Sequence, residues 1–227
     1  MATVSKENYL KAIFYHYSLF GESASTVKLA KELSISNAAI SDMAKKLSKA
    51  GLISYEKYKG MELTAEGERV ALNVIRRHRL WELFLSEVLN IPWGEVHDEA
   101  EKLEHNTSEF LIDKIDEYLN FPEFDPHGHP IPKKNGTLPK SPKLILLSDS
   151  EIGNTYQLIQ VDDRDNNLID YLSKVGLILN TEFEVIDKLE FDKSLTVKFG
   201  NRNLSISQKI SESVYVKLVT KYFNESK

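Results

Sequence analysis

Cysteine is missing from this 227-residue chain, and its absence removes disulfide frameworks, thiolate metal sites, iron–sulfur clusters and cysteine nucleophiles together. No apolar run approaches the roughly 20 residues that a membrane-spanning helix needs. The N-terminus also lacks the basic-then-apolar pattern of a secretory signal, so the expectation is a soluble, cytoplasmic protein. Proline is nearly confined to one segment: six of the seven lie between Pro122 and Pro142. Excess positive charge is scarce, since the net charge is -5. Residues 1–72 carry ten Lys/Arg against eight Asp/Glu, residues 73–140 eight against thirteen, and residues 141–227 eleven against thirteen. A uniformly basic surface is thereby excluded, whereas a local basic face in the first third is not.

The most informative stretch is His97-Asp98-Glu99-Ala100-Glu101-Lys102-Leu103-Glu104-His105. Read as a helix, it places His97, Glu101, Glu104 and His105 at i, i+4, i+7 and i+8, so two imidazoles and two carboxylates share one face. Borderline nitrogen donors beside hard oxygen donors suit a divalent first-row metal. The competing reading is a solvated acidic face of an ordinary helix.

Tyr9, Ile13, Tyr17 and Phe20 form a helical stripe that ends near Gly21. A short helix at 26–33 follows, with Ser25 as its cap, and Ser36 caps a third helix with Ile40, Met43, Ala44 and Leu47 inward. The outer face of that third helix carries Asn37, Ser41, Asp42, Lys45, Lys46 and Lys49. Two short helices joined by a tight turn, the second polar and basic outside, make a helix-turn-helix. Residues 53–58 then alternate like a strand, Lys59-Gly60 turns the chain, and Met61-Glu62-Leu63 returns to a helix capped by Thr64. Such a hairpin reads as a wing, with Lys57 and Lys59 on it.

Residues 72–89 give a broad apolar helical face, on which His78 and Glu82 lie at i, i+4. Another helix is expected at Phe110–Leu119. The proline-rich stretch from Phe121 to Pro142 reads as a linker or extended edge, and its His127 and His129 read as structural. Beyond it, short alternating runs at 155–161, 182–187, 195–199, 204–207 and 214–218, with one helix near 168–175, fit a small β-barrel. The expected division is 1–72, 73–140 and 141–227.

Taken in order, the winged helix, His78-Arg79-Leu80-x-Glu82, Val96-His97-Asp98-Glu99-Ala100-x-x-x-Glu104-His105 and Pro126-His127-Gly128-His129-Pro130-Ile131-Pro132 resemble the diphtheria-toxin-repressor family of metal-dependent transcriptional regulators. The resemblance covers the first 140 residues closely. It implies an α+β chain: an N-terminal winged helix-turn-helix, an all-α dimerisation and metal-binding domain, and a C-terminal SH3-like β-barrel. It implies a homodimer that binds a palindromic DNA operator as a repressor and controls metal homeostasis. It implies a primary metal site at Asn8, Glu101, Glu104 and His105, and an ancillary site at His78, Glu82 and His97. The ancillary site would be completed from the 162–167 loop.

The resemblance further implies that metal ties the N-terminal helix to the dimerisation helices. Lys45, Lys46, Lys49, Lys57 and Lys59 would contact phosphates, and Asn37, Ser41 and Asp42 would face base edges. Iron-responsive members have Cys where this chain has Glu101, as manganese-responsive members do, so Mn(2+) is favoured and Fe(2+) is the alternative. Asn8 stands where the family has Met or Asp and lowers the expected affinity. Two other classes compete. A carboxylate-bridged dimetal enzyme needs Glu-x-x-His on two helices, and no histidine here has an acid three positions before it. A metal-independent winged-helix regulator would use the acidic middle only as a dimer surface.

Overall fold

In a computed structural model, the chain is described over residues 5–56 and 59–219. Helix α1 (Lys6–Phe20) starts where the Ser5 hydroxyl accepts the Asn8 N–H, and it stops at Gly21, whose φ of 66° is left-handed. Helices α2 (Thr26–Glu32) and α3 (Asn37–Lys49) are capped in the same way by Ser25 and Ser36. Ile40, Ala44 and Leu47 of α3 pack with Leu10 and Ile13 of α1 and Leu29 of α2 in one core. Burying each large apolar side chain of this kind contributes about 1.5–3 kcal/mol.

The wing consists of β1 (Ile53–Glu56) and β2 (Gly60–Leu63), antiparallel with Ile53 opposite Leu63. Residues 57 and 58, and with them the Lys57 expectation, lie outside the described residues. The two helical stretches read after the wing form a single helix, α4 (Ala65–Glu87), because neither proline nor a helix-stopping turn lies between them. Its first turn closes on the start of the wing at Gly67, where a Cβ would sit 1.9 Å from the Leu52 carbonyl oxygen. Only glycine permits that approach. Helices α5 (Val96–Glu104) and α6 (Glu109–Tyr118) follow. Leu80 and Leu83 of α4 pack with Ile112 and Ile115 of α6.

The C-terminal part is a six-stranded antiparallel sheet of strand order β3-β8-β4-β5-β6-β7. Its strands are β3 (Ile145–Leu146), β4 (Thr155–Val161), β5 (Glu182–Lys188), β6 (Leu195–Phe199), β7 (Arg202–Ile206) and β8 (Val214–Leu218). Helix α7 (Asn166–Val175) joins β4 to β5, and the short α8 (Gln208–Ser211) precedes β8. Register shifts in β4 and β5 mark bulges, which bend strands. One core gathers Leu158, Phe183, Val185, Val197, Val214 and Val216 with Leu168 and Leu172 of α7. The expected α+β architecture is therefore observed. The expected strand at 204–207 begins earlier, at Arg202, and neither β3 nor α8 carried a readable pattern. Among the described residues no helix is long and apolar enough to cross a membrane.

Candidate metal centre

Helix α4 places His78 and Glu82 one turn apart, both buried, and α5 lays His97 against them. His78 Nε2 is 2.9 Å from Glu82 Oε1, His97 Nδ1 is 3.1 Å from the same oxygen, and the two imidazole nitrogens are 3.2 Å apart. Asp163, on the loop after β4, brings Oδ2 to 3.9 Å from His97 Nδ1. His78, Glu82, His97 and Asp163 thus offer four donor atoms all within 4.8 Å of one another.

A second set shares that centre. Glu82, Asp125, His127 and Asp163 also offer donors within 4.8 Å of one another. His127, read from the sequence as structural, lies at this same centre. Its Nδ1 lies 3.8 Å from Glu82 Oε1 and 3.9 Å from Asp163 Oδ2. The loop that carries it is built for this. The Asp125 carboxylate accepts the backbone N–H groups of His127 and His129 at 2.8 and 2.9 Å. The His127 carbonyl accepts from Val161 N–H at 3.0 Å. Gly128, at φ 87°, lies against β4 so closely that a Cβ would be 2.0 Å from the Ile159 carbonyl oxygen. Trp93 stacks on the His127 ring at 5.5 Å, and its carbonyl accepts from His127 Nε2 at 3.1 Å. With Nε2–H so engaged, Nδ1 is the ring nitrogen aimed inward.

Four buried atoms at this centre, Glu82 Oε2, Asp125 Oδ2, His127 Nδ1 and His129 Nδ1, have no hydrogen-bond partner among the described residues. Buried polar atoms are rarely left so, and a cluster of convergent nitrogen and carboxylate donors is what a divalent cation satisfies. The residues present fit such an ion. Electrostatics reflects the same crowding. Burial opposes charge on His78, yet Glu82 and Glu104 hold its imidazolium up to about 10. Burial likewise opposes charge on His127, and the Glu82 carboxylate leads in pushing it up to about 9. Burial would raise Glu82, but His78, His127 and His97 hold it well below the usual carboxylate range.

The Asn8, Glu101, Glu104 and His105 set is arranged differently. Glu104 is fully buried and His78 Nδ1 donates to its Oε2 at 2.6 Å, so His78 bridges the two groups of residues. His105 Nε2 is 3.2 Å from Glu104 Oε1, and its Nδ1 lies 2.6 Å from Glu7 Oε2. The Asn8 carboxamide oxygen accepts the Ser5 hydroxyl at 2.9 Å inside the α1 cap. The Lys11 ammonium donates to Glu104 Oε1 and Oε2 at 2.7 and 3.0 Å and to Glu101 Oε1 at 3.2 Å. Burial opposes its charge, but Glu104 and Glu101 hold Lys11 above the ordinary lysine value. Sequence pattern alone singled out neither Lys11, Asp125 nor Asp163. The signal for Lys11 was its place one turn after Asn8 on α1, facing the same way.

On the expected nucleic-acid face, Asn37, Asp42, Lys45, Lys46 and Lys49 lie along α3, all exposed. The Ser41 hydroxyl turns back to the Asn37 carbonyl at 2.9 Å. Lys45 lies 3.6 Å from Asp42, and Lys59 pairs with Glu56 at 2.6 Å.

Residues 1–61 match the family described as "Iron dependent repressor, N-terminal DNA binding domain". Residues 64–133 match "Iron dependent repressor, metal binding and dimerisation domain", and residues 145–218 match "FeoA domain". The chain is 29% identical over 224 residues to the iron-dependent repressor IdeR of Mycobacterium leprae, covering 94% of this chain and 96% of that one. It is 31% identical over 126 residues to the HTH-type transcriptional regulator MntR of Lysinibacillus sphaericus, covering 56% of this chain and 89% of that one. Among solved structures it is similar to a manganese-dependent transcriptional repressor in complex with manganese. That likeness has a TM-score of 0.88 and 32% identity over 95% of this chain and 100% of the other. It is also similar to ScaR with bound zinc, with a TM-score of 0.81 and 30% identity over 95% of this chain and 100% of that one.

Proposed function

The chain belongs to the diphtheria-toxin-repressor family of metal-dependent transcriptional repressors, and from that premise we propose that it is a manganese-preferring repressor controlling metal homeostasis in the cytoplasm, with Fe(2+) as the alternative ion. As a member of that family it is a DNA-binding, dimeric repressor and not an enzyme. We assign the first ion to His78, Glu82, His97 and Asp163, with Asp125 and His127 sharing the centre. The observation that carries this assignment is the set of buried atoms without a hydrogen-bond partner, Glu82 Oε2, Asp125 Oδ2 and His127 Nδ1, gathered at one centre. A second ion is assigned to Asn8, Glu101, Glu104 and His105. Three carboxylates at the first centre and no thiolate anywhere favour manganese or ferrous iron over softer ions.

The divalent ion supplies positive charge and fixed coordination to a cluster that otherwise gathers acids and imidazolium groups. The chain's own residues carry that local change outward. Asp163 belongs to the C-terminal sheet region, His127 to the proline-rich loop and His78 to the helix that rises from the wing. His78 also passes a hydrogen bond to Glu104, which holds Lys11 of α1. The winged helix is thereby tied to the helical middle through named contacts. Twofold dimers of such proteins read half-sites about 34–36 Å apart, so the angle of each winged helix decides operator affinity. We therefore propose a palindromic operator, with phosphates met by Lys45, Lys46, Lys49, Lys57 and Lys59 and base edges by Asn37, Ser41 and Asp42.

The test is a fluorescence-anisotropy titration of a duplex that the protein selects from a random pool, at fixed salt, in chelator and then in manganese, iron, cobalt or zinc. Tightening by at least tenfold with manganese supports the reading. Equal affinity in chelator and in every metal refutes it.

A further inference from the structure

The cation that the Glu101, Glu104 and His105 group holds in this chain is one of its own. Lys11 enters from α1, is 8% exposed, and places Nζ within 3.2 Å of three carboxylate oxygens on two residues of α5. Glu104 has no room for a further partner of that kind: its Oε1 faces Lys11 and His105, and its Oε2 faces Lys11 and His78. An ammonium and a divalent ion compete for the same oxygens, since each needs the lone pairs that the other uses. Like charges in a buried site also repel strongly.

We propose that Lys11 is the resident cation of this second site, so that a divalent ion enters it only by displacing the ammonium, and that Lys11 thereby sets the metal threshold of the site. The inference rests on the assignment of a second ion to Asn8, Glu101, Glu104 and His105. Displacement also has a mechanical result. The Lys11 pair ties α1 to α5 when metal is scarce, and the exchange hands that tie to Asn8, one turn earlier on the same helix. Lysine is suited to this because its single ammonium releases as a point charge, whereas an arginine fork would hold both carboxylates bidentately.

Equilibrium dialysis of manganese against the full-length dimer, with wild type, Lys11→Met and Lys11→Gln, tests the proposal. Two equivalents per protomer are resolved by also measuring Glu82→Ala, which removes the first. The expected result is that the second equivalent binds at least tenfold more tightly in either Lys11 variant, while the Glu82-dependent equivalent keeps its affinity. Metal-free Lys11→Met should also melt below wild type, because Glu101 and Glu104 lose their cation, and saturating manganese should close that gap. Lys11→Gln keeps a hydrogen-bond donor in case Lys11→Met does not fold. A second equivalent that is present in wild type but no tighter in the folded variants, or lost from them, overturns the proposal. A second equivalent absent from wild type and from both variants would instead strike the assignment of the second ion.

Discussion

Asp163, on the loop that leaves β4, holds its Oδ2 3.9 Å from His97 Nδ1 on α5. This carboxylate is the point at which the C-terminal sheet region joins a centre otherwise built by α4, α5 and the proline-rich loop. Losing even the hydrogen-bond partners of metal ligands weakens affinity about 10–100-fold. Asp163→Ala should therefore weaken manganese binding at the first site by at least that factor, seen by isothermal titration calorimetry. It should also shrink the rise in melting temperature that metal produces. Unchanged affinity would remove Asp163 from the centre.

Gly128 decides whether His127 faces inward. Its φ of 87° and the 2.0 Å gap between a Cβ and the Ile159 carbonyl oxygen leave no place for a side chain. Gly128→Ala should cost about 1–3 kcal/mol from backbone strain alone, lift the loop from β4 and weaken manganese binding with it. Thermal melting with and without manganese separates these effects. A variant of native stability and native affinity would show that the loop's docking is not needed.

The α3 face makes a sharper claim about salt than about affinity. Removing one phosphate-binding cation lowers the slope of log affinity against log salt by about 0.9. Lys46→Ala should weaken binding to all duplexes alike and flatten that slope by about one unit. A slope identical to wild type would place Lys46 away from the DNA backbone.

Dimerisation should use the apolar side chains that the single chain leaves in water. Phe110, Tyr118 and Phe121 are 74%, 68% and 66% exposed along and just after α6, beside Phe84 of α4, which packs edge-on against Tyr118 at 6.1 Å. A symmetric dimer buries one such face against its copy. Phe110→Glu should yield a monomer at micromolar concentration in analytical ultracentrifugation while keeping the helical spectrum. A dimer that persists would exclude this face.

Local signals in the sequence carry much of the fold. Ser5, Ser25, Ser36 and Thr64 act as helix caps because capping depends on residues within one turn. His78 and Glu82 are legible for the same reason, since helical spacing alone puts them together. Asp163 can be placed only as far as its loop, because its approach to His97 depends on how two separately folded parts dock. Asp125 and His127 read as loop residues, and their role arises from the Asx-type hydrogen bonds and from Gly128 lying on β4. Lys11 reads as an ordinary helix cation, because only the packing of α5 near α1 brings Glu101 and Glu104 to it. The two-residue β3 is too short to show alternation at all.

Under the proposed function, metal and operator binding form one linked equilibrium, and linkage requires that each tighten the other by the same factor, typically about 5–150-fold. The most direct test measures manganese affinity in the protein alone and again with saturating operator duplex, beside operator affinity with and without manganese. Equal factors in the two directions are expected, both above about fivefold and both lost in Glu82→Ala. Manganese affinity that operator DNA leaves unchanged, in a protein that binds both ligands, would contradict the linkage.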